Sequence, residues 1–141
     1  MSLPRFATSF LSAIARLKYR FGFGPPHLKL GRLGEDLAVN TLHGKGYRII
    51  GRNLKVSGRE VDIVAIEGDM LVFIEVKTRR DGSSVHPMLA VDNKRRERLR
   101  KAAHIYASSK GLRNISIRFD VVTVDFGQSE SGKVELIRNA F

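Results

Sequence analysis

The amino-acid sequence predicts an α/β domain, a mixed central β-sheet flanked by helices in the order α-β-β-β-α-β. Three observations predict it. Apolar residues recur at helical spacing in two separate segments, around residues 31–43 and 92–110. Runs rich in Val and Ile, divided by glycine-containing turns, occupy the stretch between them and the stretch after them. One of these runs, Leu71-Val72-Phe73-Ile74, is apolar at every position, which marks a central strand covered on both faces. The chain has 141 residues, enough for one such domain.

Residues 1–28 read as a basic amphipathic extension and linker, and residues 29–141 as the α/β domain. In the extension Phe6, Phe10, Ile14 and Leu17 fall at helical spacing, and Phe21-Gly22-Phe23-Gly24-Pro25-Pro26 breaks any helix there. Residues 4–23 suit weak contact with an anionic membrane surface or another polyanion, and read equally as a disordered extension or one that docks on the domain. No run reaches the roughly 18 apolar residues of a membrane span, and no secretory signal is recognisable, so a cytoplasmic setting is expected.

From Gly31 onward, Leu33, Leu37, Ala38, Thr41 and Leu42 make one face of a helix that Gly44-Lys45-Gly46 ends. Tyr47 to Ile50 and Leu54 to Val56 form a strand interrupted near Gly51 and turned by Ser57-Gly58. Glu60 to Ile66 and Met70 to Val76 are strands joined across Gly68-Asp69. A second helix starts near Val91-Asp92 and runs to about Lys110, where Gly111 stops it. Ile115 to Phe126 alternates as a long strand, and Val134 to Ile137 adds a short edge strand.

Charge narrows the function classes. Lys and Arg number 25 against 14 Asp and Glu, a formal net charge of +11, and the pI is near 10.6. Such a balance suits a polyanionic partner, nucleic acid above all. The absence of cysteine excludes a disulfide scaffold, thiolate zinc or iron–sulfur sites and cysteine catalysis. His27, His43, His86 and His104 have no metal-ligand spacing, and no Gly-x-Ser-x-Gly elbow is present. Gly127 to Lys133 imitates a phosphate-binding loop, but Val134 stands where a hydroxyl is needed and too little chain follows, so it reads as a hairpin loop.

The hairpin across Gly68-Asp69 holds the chemistry. A symmetric two- or four-residue loop sets Asp62 opposite Glu75 and Glu60 opposite Lys77, all four on one face. Opposed side chains have Cβ atoms roughly 4.5–5.5 Å apart, so two carboxylates are held where they repel each other. A divalent cation such as Mg²⁺ or Mn²⁺ resolves that repulsion, since one or two carboxylates plus water and substrate phosphate satisfy it. Lys77 then sits where it can orient a water and offset charge on a phosphate. The competing reading is an ion-pair cluster in which Lys77 and Arg59 or Arg79 neutralise the acids. A three-residue loop would instead send the acids to opposite faces.

Asp62, then Glu75-Val76-Lys77, resembles the PD-(D/E)xK nuclease signature, an Asp and an acid-x-Lys triplet on adjacent strands. The wider order of Gly34-Glu35, Gly46-Tyr47, Arg52-Asn53, Glu60-Val61-Asp62, Val72 to Lys77, Lys94, Ala103 and Arg118 to Val122 resembles the YraN-like family, small bacterial proteins similar to archaeal Holliday junction resolvases. The likeness spans about residues 31–126. It implies a restriction-endonuclease-like fold, metal binding by Asp62 and Glu75, assistance of the attacking water by Lys77, and completion of the acidic site by Glu35. By its own position Glu35 reads equally as a surface acid near a helix N-terminus. Val61 departs from the signature, which has proline there.

The second helix carries Lys94, Arg95, Arg96, Arg98, Arg100, Lys101 and Lys110 against Asp92 and Glu97. Lys94, Arg95, Arg98 and Lys101 are the expected phosphate contacts, Lys94 foremost because the resemblance has a lysine there; a merely solvated face is the alternative. The expectation is therefore a Mg²⁺- or Mn²⁺-dependent endonuclease acting on DNA, branched DNA included, with Glu60 as a partner of Lys77 and a homodimer if two symmetric nicks are made. Its rivals are a catalytically silent nucleic-acid-binding module and a membrane-associated interaction protein.

Overall fold

The computed structural model describes residues 26–80, 91–127 and 131–141. The extension expected at residues 1–28 falls almost wholly outside them, as does its membrane-surface segment 4–23. Helix α1 spans Pro26–Gly44. Strands β1 (Arg48–Val56), β2 (Arg59–Glu67) and β3 (Met70–Arg79) follow, then helix α2 (Asn93–Ser109), β4 (Ser116–Asp125) and β5 (Lys133–Ile137).

The five strands form one sheet in the order β1-β2-β3-β4-β5. Pairing is antiparallel except between β3 and β4, which run parallel because α2 carries the chain from one to the other. The α/β class with a mixed sheet flanked by helices is thus as the sequence predicts. Central β3 is covered on both faces: Leu71, Val72, Phe73 and Ile74 are fully or almost fully buried. Val72 and Ile74 pack with Ala38 and Leu42 of α1, whereas Leu71 and Phe73 pack with Leu99, Ala102, Ala103 and Ala107 of α2.

The first helix begins at Pro26, earlier than its apolar periodicity suggests. Proline is compatible with a first helical turn, whose N–H groups have no partner inside the helix, so Pro26 opens this helix instead of breaking one. Its inner face also differs. Leu33 is 51% exposed, contrary to the expectation that it lies on the buried stripe. The stripe is centred instead on Gly34, Ala38 and Leu42, and Leu33 stands about 100° round the helix from Gly34. At Gly34 the helix backbone comes so close to β3 that a Cβ would collide with the Thr78 side chain. Apolar periodicity cannot register that approach, because glycine carries no apolar side chain.

Two turns bring the strands into register. Gly68, at φ 59°, occupies the first central position of a two-residue β2–β3 loop, a position where the tight hairpin turn favours glycine. Its flanks pair Glu67 with Met70, and the same symmetric register continues to Ile63 and Ile74. The loop is therefore not the three-residue form that would separate the acids. At the other end of β2, Ser57-Gly58 turns β1 into β2 between paired Val56 and Arg59. Hydrogen-bonded pairing of β4 with β5 confirms the hairpin at Gly127 to Lys133, whose residues 128–130 lie outside the described set.

Candidate active site

Asp62 and Glu75 come together on the α2 face of the sheet, immediately past the last β2–β3 pair, Ile63 with Ile74. There the Asp62 carboxylate takes the place of a backbone acceptor: its Oδ2 accepts the Val76 N–H at 2.8 Å. Glu75 is 3% exposed, a charged group that directly follows the buried apolar run Leu71 to Ile74 within β3. Its charge is met by Arg95, whose Nε and Nη2 donate to Oε1 at 3.0 Å and Oε2 at 2.9 Å. The same Nη2 lies 3.9 Å from Asp62 Oδ1, and Lys77 Nζ lies 3.4 Å from Glu75 Oε1.

Local sequence explains how Arg95 arrives there. Asp92 caps α2, accepting the Arg95 N–H at 2.8 Å, and so fixes the first turn of the helix over the end of β3. Burial works against the Arg95 cation, yet its hydrogen bonds and attraction to Glu75 raise its pKa overall. Asp62 has less compensation. Burial, followed by the adjacent Glu75 charge, pushes its carboxyl up from an ordinary 3.8 to about 7, against the Val76 N–H and Arg95, which favour the anion. Near neutral pH the Asp62 carboxyl therefore stays partly protonated, where an ordinary aspartate is fully ionised.

Two adjacent oxygen donors whose second negative charge is costly are a fitting donor set for a divalent cation. Asp62 and Glu75 are the residues that would hold it. Among the described residues no third Asp, Glu or His converges on them. Glu35 is engaged elsewhere: its Oε2 accepts from Asn53 Nδ2 at 2.9 Å and lies 3.9 Å from Arg52 of β1.

An open cleft of about 630 Å³ shares Arg95 with the carboxylate pair, although neither Asp62 nor Glu75 lines it. The β1–β2 turn forms one wall through Lys55 and Arg59, and α2 forms the other through Arg95, Arg98 and Lys101. Glu60, expected beside Lys77, lines this cleft instead and contributes to the field that favours the Arg95 cation. The strands have parted by that point, since regular β2–β3 pairing stops at Ile63, and Glu60 pairs with Lys55 of β1. Lys94 is exposed on α2 outside the residues that line the cleft. Arg96 and Arg100 lie over the Phe141 ring at 5.4 and 5.5 Å, which removes them from the cleft wall.

Two features escape a reading of the sequence. Arg95 stands among several basic residues at similar spacing, and only its place three residues after the capping Asp92 hints at its direction. The other is a buried network on the opposite face. Fully buried Asp120 accepts from Tyr47 Oη at 2.8 Å, from Arg118 Nε and Nη2 at 2.8 Å each, and from the Asn139 N–H at 2.9 Å. Arg118 extends it to Glu67 at 2.7 Å, and Glu67 meets Arg138 at 2.8 Å. Burial and the bond to Asp120 push the Tyr47 phenol up to about 12. Every acceptor here is paired, so the cluster ties strands together and has no opening for chemistry.

Fold and site together define a small α/β domain with paired acids on its adjacent strands β2 and β3, joined through Arg95 to a basic cleft. The chain belongs to the YraN-like family described as Uncharacterised protein family UPF0102, whose model matches residues 34–124. It is similar to a UPF0102 protein of Geobacter sulfurreducens, 44% identical over 121 residues, which is 85% of this chain and 94% of that relative. A UPF0102 protein of Dictyoglomus thermophilum is 43% identical over 116 residues, covering 80% and 97% of the two chains. One of Moorella thermoacetica is 44% identical over 112 residues, covering 79% and 93%. Asp62, Glu75, Lys77 and Arg95 all fall inside the matched span. None of the helices among the described residues is long and apolar enough to cross a membrane.

Proposed function

We propose that this chain is a divalent-cation-dependent endonuclease that hydrolyses phosphodiester bonds in nucleic acid, DNA and branched DNA in particular. The observation that carries the reading is the forced company of Asp62 and Glu75. Two carboxylates on the adjacent strands β2 and β3, one held up to about 7 by burial and by the other, are costly for a fold to keep without a ligand. The resemblance of Asp62 and Glu75-Val76-Lys77 to the PD-(D/E)xK signature supports it independently.

In this reading Asp62 and Glu75 hold Mg²⁺ or Mn²⁺. When bound, such an ion supplies Lewis-acid stabilisation for the charge that develops on the phosphate. The Val76 N–H keeps the Asp62 carboxylate aimed at its neighbour. Lys77 orients the attacking water and places its ammonium beside the phosphate oxygens as they gain charge. Lys55, Arg59, Arg98 and Lys101 bind the phosphate backbone along the cleft, and its entry to the carboxylates lies past Arg95.

One observation favours a second reading, a nucleic-acid-binding module that does not cut. Glu75 already has both oxygens paired with Arg95, so the ion pair satisfies it without a metal. Labelled duplex, flap and four-way-junction DNA incubated with the protein in Mg²⁺ or Mn²⁺ distinguishes the two. The endonuclease reading expects nicking that Asp62→Asn abolishes. Salt-sensitive binding without turnover, undiminished in Glu75→Gln, would establish the second reading in its place.

A further inference from the structure

Arg95 stands at the junction of the two halves of the site. Its guanidinium spans both oxygens of Glu75, and its side chain also lines the cleft with Arg98 and Lys101. The Glu75 side chain is 4% exposed and has Lys77 against Oε1, whereas the Arg95 side chain is 22% exposed. A cation coming from solvent to Glu75 therefore meets a group that holds the very oxygens it needs and that repels it. Arginine has a long flexible stem and a planar fork that matches a phosphate as well as a carboxylate. The cleft that Arg95 lines offers a second position for it, among Glu60, Arg98 and Lys101.

On the proposed function given above, we infer that Arg95 is a latch. It occupies Glu75 while no divalent cation is bound, and the arriving ion turns it out into the cleft, where it becomes a phosphate-binding group. Filling of the carboxylates and grip on the backbone are then coupled through one side chain. The latch also keeps a buried acid pair from remaining unneutralised between binding events.

Calorimetric titration of the full chain with Mn²⁺, without nucleic acid, tests the inference in wild type, Arg95→Gln and Arg95→Lys. A competitor removed from Glu75 is expected to tighten Mn²⁺ binding about tenfold in Arg95→Gln, equivalent to ~1.4 kcal/mol. Arg95→Lys, which keeps a cation but loses the parallel fork, is expected between that variant and wild type, and it decides the matter if Arg95→Gln fails to fold. In wild type, the Arg95 Nε–H resonance is expected to move when Mg²⁺ saturates the protein. Mn²⁺ binding that is unchanged or weaker in the folded variants overturns the latch alone, as does an Nε–H resonance that stays put at saturation. Absence of Mn²⁺ binding by wild type and variants alike overturns the cation-dependent function and the latch with it.

Discussion

Asp62 bonds to the backbone of Val76, not to that of its opposite number, Glu75: the carboxylate accepts the Val76 N–H at 2.8 Å just where the β2–β3 ladder ends. The side chain is thereby locked while the two acids stay side by side.

The Asp62 carboxyl binds its proton more tightly in the folded chain, at about 7, than the ordinary 3.8 of an unfolded one. Between those values the native state holds more protons than the unfolded state, so its stability falls as pH rises. The contribution is complete below about pH 4 and lost above about pH 7. Asp62→Asn keeps an oxygen for Val76 and removes the charge. Thermal melts of the metal-free proteins should show wild type losing stability from pH 5 to pH 8 with the variant losing less, and Asn giving the higher Tm at pH 8.

In the proposed endonuclease Lys77 serves the reaction, whereas the acids hold the cation. Lys77→Ala should lower DNA cleavage by about 10²- to 10⁴-fold, the span usual for loss of a group positioned for proton transfer or charge stabilisation. Mn²⁺ affinity measured by calorimetry should change far less. Equal losses in both would make Lys77 a prop for the carboxylates.

The proposed contact of the cleft with a nucleic-acid backbone predicts a salt dependence. Log–log plots of duplex affinity against salt concentration should lose roughly 0.9 in slope for each phosphate contact removed. The double variant Arg98→Gln/Lys101→Gln should flatten the plot by nearly two such steps. Lys94→Gln, outside the cleft wall, should leave the slope close to wild type.

Gly34 lets α1 rest against the end of β3, next to Lys77 in the chain. Gly34→Ala sets a methyl group into the Thr78 side chain. Overpacking of this kind typically destabilises by about 1–3 kcal/mol. Urea unfolding should show that loss, and adding Thr78→Ala should recover part of it, a coupling expected only of neighbours.

The order of elements and the covered strand are readable from the chain, and so is the Asp62–Glu75 encounter, because a two-residue turn with a glycine leaves little choice of register. Local pattern fails where the deciding partner is distant. Leu33 looks like a core residue until Gly34, with no side chain to count, proves to be the point of closest approach. Arg95 resembles the other cations of α2 until the cap at Asp92 and the crossover from β3 aim it at Glu75. Glu60 was expected opposite Lys77 by extending a regular ladder beyond the rung where Asp62 ends it. Asp120 gives no sign in sequence that Tyr47 and Asn139 will meet on it.

That last meeting bears on how the domain comes apart. β1 and β5 are the two margins of the sheet, yet Tyr47, one residue before β1, and Asn139, just after β5, both donate to Asp120. Peeling away either margin strips a donor from a carboxylate that has no route to water, so each margin loses its anchorage when the other leaves. Amide hydrogen exchange in β1 and β5 should accordingly proceed through one shared opening event, and Tyr47→Phe should speed exchange at both margins together.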